Sequence, residues 1–259
     1  MKALGLAVLA VCLPSAFAGA QAQAPAPARP VLPGIGGYDN RAPVNMQLPP
    51  WRSMGRLQAN SGNLHVSCTG VLVGPRLVLT AAHCLFNQRT QSFFRPAELH
   101  FLLGYTRGAF TAHATGVGLA IGPGYDPKRE IATIGSDWGL VTLDKQLGTP
   151  DRVLGFATEP PRAGMPVMLG GYSRDFVELI TADSGCRIIG LRPDSAGHRL
   201  IMHDCAGTYG VSGAPLLVKE GSGWRVIGIA DAAGKNMVGG AAAAALEVVQ
   251  SLTGQKPNM

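Results

Sequence analysis

The sequence predicts an all-β fold built as two antiparallel barrels, and three observations carry that prediction. The apolar runs are short and bounded by Gly, Pro, Asp or Ser, as strands in barrels and sandwiches are. Gly and Pro are abundant, 35 and 19 in 259 residues, and scattered throughout, as tight turns between such strands require. A stretch rich in turn formers, residues 146–164, divides the runs into two groups and marks a junction between the barrels.

Before the first barrel lie two segments that carry no packed structure. Met1-Lys2 gives a positive start, an apolar run follows, and Ala16-Phe17-Ala18 ends it in a small-x-small pattern. Residues 1–24 read as a signal peptide, with Ala22 and Ala24 as later cleavage points. The apolar run is shorter than the ~18 residues of a membrane-spanning helix, which argues for export and against a stable membrane anchor. Val11 before Cys12 is a poor setting for lipid attachment. Residues 25–41 are Pro/Ala-rich and aperiodic, an extended leader or propeptide, and Arg41-Ala42 offers a processing point.

The first barrel is expected over 42–150, with strands near 70–73, 77–80, 99–103, 115–121 and 139–143. The second is expected over 151–259, with strands near 166–170, 186–189, 200–202, 215–218 and 225–230. Between the last two, Glu220-Gly221-Ser222-Gly223 reads as a hairpin turn, because Gly supplies positive φ. Residues 241–252 are Ala-rich, with Leu246, Val249 and Leu252 on one face and Gly254 after them, which predicts a C-terminal α-helix.

The net charge of +6 is dispersed, with no basic stripe interleaved with aromatics, so no nucleic-acid partner is expected. Of the five cysteines, removal of the signal peptide leaves Cys68, Cys84, Cys186 and Cys205. An even number in an exported chain reads as disulfides, and proximity favours Cys68–Cys84 and Cys186–Cys205 among the possible pairings. Zinc is the alternative, but no CxxC pair is present and an oxidising compartment disfavours thiolate ligands. Neither metal nor cofactor is expected, and the chain reads as a secreted or periplasmic monomer.

Two motifs carry chemistry. In the first, Leu77-Val78-Leu79-Thr80 ends in the small-residue turn Ala81-Ala82-His83-Cys84, placing an imidazole at a barrel edge. A general base must be held rigidly, since a shift of ~1 Å can cost ~100-fold in rate, and a bridge at Cys84 would supply that rigidity. In the second, Gly210-Val211-Ser212-Gly213-Ala214-Pro215, glycines flank a serine so that its hydroxyl projects. The same bend turns the Gly210 and Ser212 amides toward one point, an oxyanion hole.

These residues resemble the trypsin/chymotrypsin family, whose hallmarks are a TAAHC box followed by a GDSGGP box. The likeness is to the bacterial branch with GNSGSP-type serine boxes, which includes the glutamyl endopeptidases, and runs from about Trp51 to Leu252. Pro49-Pro50-Trp51 resembles the start of the family's first strand, and Gly170-Gly171-Tyr172 a segment of its second barrel. The resemblance implies a chymotrypsin-like pair of six-stranded antiparallel barrels and a serine endopeptidase acting on protein or peptide substrates through an acyl-enzyme. It implies an Asp between the boxes, and Asp137 fits because it leads the apolar run 139–143. Asp126, Asp144 and Asp151 read instead as turn or surface carboxylates.

This chain also departs from the family. Val211 stands where trypsins carry the Asp that pairs with a freed N-terminus, which implies either a hole formed without zymogen switching or another N-terminal contact. Ala206 stands where trypsin's Asp selects basic side chains, and no histidine occupies the glutamyl endopeptidases' place near Ala230. The expected substrate pocket comprises Ala206, Thr208, Ala230 and Asp231, the last either a wall of the pocket or a surface charge; facing Asp137, it would have its pKa raised by repulsion. His65, His100, His113, His198 and His203 lack ligand spacing and read as isolated strand or surface residues. The rival function is an inactive secreted pseudo-protease that serves as a binding scaffold. An esterase is disfavoured, because Ala214-Pro215-Leu216-Leu217 continues as a strand where a GxSxG elbow would enter a helix.

Overall fold

The computed structural model describes residues 32–35, 39–61, 64–234, 239–245, 248–249 and 252. The segment read as a signal peptide lies outside them. In chain order the strands are β1 (Ala42–Pro43), β2 (Met54–Ser61), β3 (Leu64–Gly74) and β4 (Leu77–Thr80). A small hairpin, β5 (Phe86–Asn87) and β6 (Ser92–Phe93), precedes β7 (Leu99–Leu103), β8 (Ala112–Ile121) and β9 (Gly139–Leu143). Then come β10 (Pro166–Gly171), β11 (Thr181–Pro193), β12 (Arg199–His203), β13 (Pro215–Glu220), β14 (Gly223–Ala233) and β15 (Gly240–Ala244).

The first barrel closes in the order β2-β3-β4-β9-β8-β7, with β2 paired back to β7. The second runs β11-β10-β13-β14-β15-β12 and closes because the long β11 pairs with β10 along its first half and β12 along its second. No named strand falls between β9 and β10, where the sequence placed the junction.

The continuous apolar runs have a direct cause. β3 alternates at its start and is then buried without a break, and β4 is buried over its last three residues. Leu72 and Val78 fill the first barrel's interior, while Val71 and Leu79 belong to a second cluster with Trp51, Met54, Trp138 and Tyr172. Each face of these strands meets its own core, so polar alternation is lost. Complete burial of each such side chain contributes about 1.5–3 kcal/mol. Glycine lets the backbone approach closely in that shared cluster: a Cβ on Gly170 would run into the Trp51 indole.

Two expectations are corrected. The helix predicted from residue 241 begins only at Ala245, with Val248, Val249 and Leu252 also helical among the described residues. Ala241 to Ala244 instead form the core of β15, bonded to β12 on one side and β14 on the other. Alanine's helix preference is small per residue, and two waiting strand edges outweigh it; the small side chains fit a fully buried strand. Likewise β1, at the start of the segment expected to form the first barrel, pairs with β11 of the second. Arg41 explains this anchoring: its guanidinium is shielded from solvent, bonds Asp39 and Asp175, and lies over the Phe176 ring. The leader also packs against the second barrel at Gly34, whose carbonyl accepts the Gly207 and Gly239 amides.

Candidate active site

His83 sits in the 3-10 turn Ala82–Leu85 that ends β4. That turn is pinned to β3 by the Cys68–Cys84 disulfide; Cys186–Cys205 is the other bridge, so both favoured pairings are formed. Asp137 follows the 3-10 segment Glu130–Ser136, is almost wholly buried, and grips His83 twice. One carboxylate oxygen accepts the His83 backbone amide at 2.8 Å and the other bonds ring Nδ1 at 2.6 Å. Ring and backbone are thus fixed by one carboxylate, which leaves Nε2 as the free ring nitrogen.

Burial alone would lower the His83 pKa. The Asp137 charge and hydrogen bond outweigh it, with a smaller push from Glu130, and the pKa lies above its ordinary value of 6.5. Cys68, His83 and Cys84 bring potential ligand atoms close together, but both sulfurs are in the disulfide and Nδ1 is held by Asp137.

Ser212 belongs to the second barrel, in the turn before β13, and lines one cavity of about 340 Å³ with His83 and Asp137. Its turn is anchored at several backbone points. Gly213 N–H donates to Ala230 O, Arg174 N–H to Tyr209 O and Val211 N–H to Thr208 O. Gly210 and Gly213 have φ of +91° and +78°, a conformation that favours glycine. The Gly210 and Ser212 amides, expected as oxyanion donors, have no acceptor among the described residues.

Thr69 was not singled out by the sequence, yet it joins the two barrels at this turn. It is fully buried in β3, and its amide donates to Ser212 O at 2.9 Å. Its hydroxyl accepts the Tyr172 amide at 2.9 Å and donates to Gly210 O at 3.3 Å; its carbonyl accepts the Thr80 hydroxyl. Every polar group it has is used. A buried threonine inside an apolar strand is the only signal the sequence offered.

Of the expected pocket residues, Thr208, Ala230 and Asp231 line the cavity. Ala206 does not: it is buried, and its amide donates to the Asp183 carboxylate. Asp231 is the extra residue of a bulge in the β14–β15 pairing, and one of its oxygens accepts the Ala243 amide. Burial, and then the Asp137 charge, push its pKa well above the carboxylate range, with the Ala243 bond opposing. Half-buried, with its other oxygen shielded from solvent, it belongs to the cavity wall and is not a surface charge.

His203 also lines the cavity, against the expectation of an isolated strand histidine; as the last residue of β12 it turns inward and is 3% exposed. The other histidines are occupied elsewhere: His65 with Asn60, His100 with His113, His198 with Asp194. Asp126 and Asp144 bind backbone amides, and Asp151 the Thr149 hydroxyl. Ile131 and Tyr209, large apolar side chains that are 80% and 58% exposed, flank the cavity mouth.

Thr69→Val should destabilise the fold by about 1–3 kcal/mol, because buried partners are left unpaired. It should also slow covalent labelling of Ser212, whereas Thr69→Ser should retain most of both. Thermal unfolding and labelling kinetics on the three proteins check this.

The trypsin family model matches residues 41–249. One solved structure similar to this chain is a Glu endopeptidase in complex with MPD: 20% identical, with a TM-score of 0.68, over 85% of this chain and 99% of that one. No curated protein matches. The chain belongs to the trypsin family and is a chymotrypsin-like serine endopeptidase.

Proposed function

We propose that this chain cleaves peptide bonds through an acyl-enzyme, with His83, Asp137 and Ser212 as its catalytic residues. The observation that carries the reading is the double grip of Asp137 on His83, within the cavity that Ser212 lines. His83 Nε2 takes the Ser212 proton as Oγ attacks the substrate carbonyl carbon. The Gly210 and Ser212 amides hold the resulting oxyanion, and Asp137 stabilises the imidazolium. The imidazolium then gives its proton to the leaving amine, and water repeats the sequence to release the acyl group.

The oxyanion donors need no freed N-terminus in this reading, which meets the departure at Val211. The turn's carbonyls and amides are already held by Thr69, Arg174 and Ala230. The exposed apolar flank of Ile131 and Tyr209 suits an extended polypeptide substrate. Export belongs to the same proposal, supported by the signal-like N-terminus and two disulfides suited to an oxidising compartment. No helix among the described residues is long and apolar enough to cross a membrane.

A fluorophosphonate should label the wild-type protein and not Ser212→Ala, and Ser212→Ala should lose peptide hydrolysis by roughly 10⁶-fold. Folded, mature wild type that takes no label would leave the scaffold reading standing.

His83 must be uncharged to accept a proton, so kcat/KM should fall as pH drops through its pKa, with a midpoint above 6.5. Asp137→Asn removes the charge that raises this pKa. A pH–rate series on it should show the acid limb displaced downward and a rate lowered by about 10⁴-fold.

A further inference from the structure

We propose that the cavity beside Ser212 selects a substrate residue with a carboxamide side chain, glutamine or asparagine, bound by the His203 imidazole and the Thr208 hydroxyl. This rests on the proteolytic reading above and goes beyond it by naming the side chain that the site accepts.

The cavity wall is made mostly of small or apolar residues, among them Leu169, Gly207, Ala230 and Ala232. Against that wall stand polar atoms shielded from solvent that have no hydrogen-bond partner among the described residues. They are both ring nitrogens of His203, the hydroxyl of Thr208 and one oxygen of Asp231. His203 and Thr208 are 3% and 1% exposed. Such orphaned groups are uncommon in folded proteins, and several in one cavity beside a nucleophile point to a ligand that completes them.

Hydrogen-bond chemistry then narrows the ligand. Burial drives the His203 pKa down to about 4 against a weaker opposing pull from Asp204, so the ring is neutral near pH 7. A neutral imidazole offers one N–H donor and one acceptor, and a threonine hydroxyl serves as either. A carboxamide presents the complement, a carbonyl oxygen and an NH₂ group.

Charged side chains fit less well. Among the described residues no Lys or Arg lines the cavity, so an entering carboxylate finds no cation there and meets the carboxyl groups of Asp137 and Glu130. An entering ammonium would need Asp231 ionised, and that carboxyl is buried next to Asp137 and already holds the Ala243 amide. An aliphatic side chain would leave every orphan unpaired. A site built to hydrogen-bond its substrate rejects the analogue that lacks the group far more strongly than an apolar site rejects a missing methylene. The histidine that does this work comes from β12, not from the place near Ala230 where the glutamyl endopeptidases were expected to carry theirs.

The test uses internally quenched peptides that differ only at the residue before the cleaved bond: Gln, Asn, Glu, Lys or Leu. Wild type should cut the better carboxamide peptide with kcat/KM about tenfold or more above the Glu, Lys and Leu peptides. His203→Leu should lower the Gln-to-Leu ratio by about tenfold or more. Thr208→Val, close in shape and independent of the histidine's packing, should lower it in the same direction. Fluorophosphonate labelling of Ser212 monitors the catalytic apparatus in each variant. Wild type that labels and cuts, but prefers Glu, Lys or Leu, overturns the assignment and leaves the protease reading intact. So does a Gln-to-Leu ratio unmoved in both variants. Wild type that neither labels nor cuts any peptide overturns both.

Discussion

The structure depends on one point of attachment, the adjacent residues Cys68 and Thr69 on β3. Cys68 is bonded to Cys84, the neighbour of His83, so it fixes the turn that carries the proposed base. Thr69 holds the carbonyls of Ser212 and Gly210, so it fixes the turn that carries the proposed nucleophile and oxyanion donors. One dipeptide of the first barrel therefore sets the positions of groups from both. The disulfide closes a short loop, worth about 3 kcal/mol in the chain-entropy account. The Thr69 bonds contribute through the cost of their loss, since each buried partner left unpaired costs about 1–3 kcal/mol. Glycine at 213 is part of the same constraint: a Cβ there would collide with the Thr80 hydroxyl and the Thr69 carbonyl.

Legibility in the sequence followed locality. Strands whose apolar runs meet a core on each face, such as β4 and β9, stood out from their neighbours alone, as did β7, whose buried Leu99, Phe101 and Leu103 alternate with half-buried residues. The His83 turn did too, because a strand, a small-residue bend and a cysteine are contiguous. β15 did not. Its alanines favour a helix in isolation, and only the edges of β12 and β14, distant in sequence, make it a strand. The same applies to Thr69, whose partners lie beyond residue 79 in the chain, and to His203, whose inward direction follows from a bulged pairing with β11. Ala206 differs in the opposite way: counting back from Ser212 placed it in the cavity, whereas it is buried with its amide bonded to Asp183.

Asp231 carries a cost that the site accommodates. Two carboxyl groups near one another cannot both ionise cheaply, and burial adds to the penalty for Asp231. Among the described residues Asp137 accepts two hydrogen bonds from His83, while Asp231 accepts the Ala243 amide. Burial and the Asp137 charge thus favour the uncharged form of Asp231, which lessens its competition with the carboxylate that holds His83. The bulge that puts it there also shifts the β14–β15 register past it, so Ala232 and Ala233 stay paired beside the cavity.

The same economy accounts for Val211. An ion pair at that position would add one strong, switchable restraint to the serine turn. Here the turn is held by many weaker ones: backbone bonds to Thr69, Arg174 and Ala230, and the Val211 side chain packed against the second barrel's core. Restraints spread over neutral groups do not depend on generating a new N-terminus. The described part of the leader packs accordingly, with Gly34 bonded to Gly207 at the cavity wall and Arg41 locked between Asp39 and Asp175. Arg41 directly precedes β1, so these contacts tie the described part of the leader to the second barrel from Gly34 up to the start of that strand.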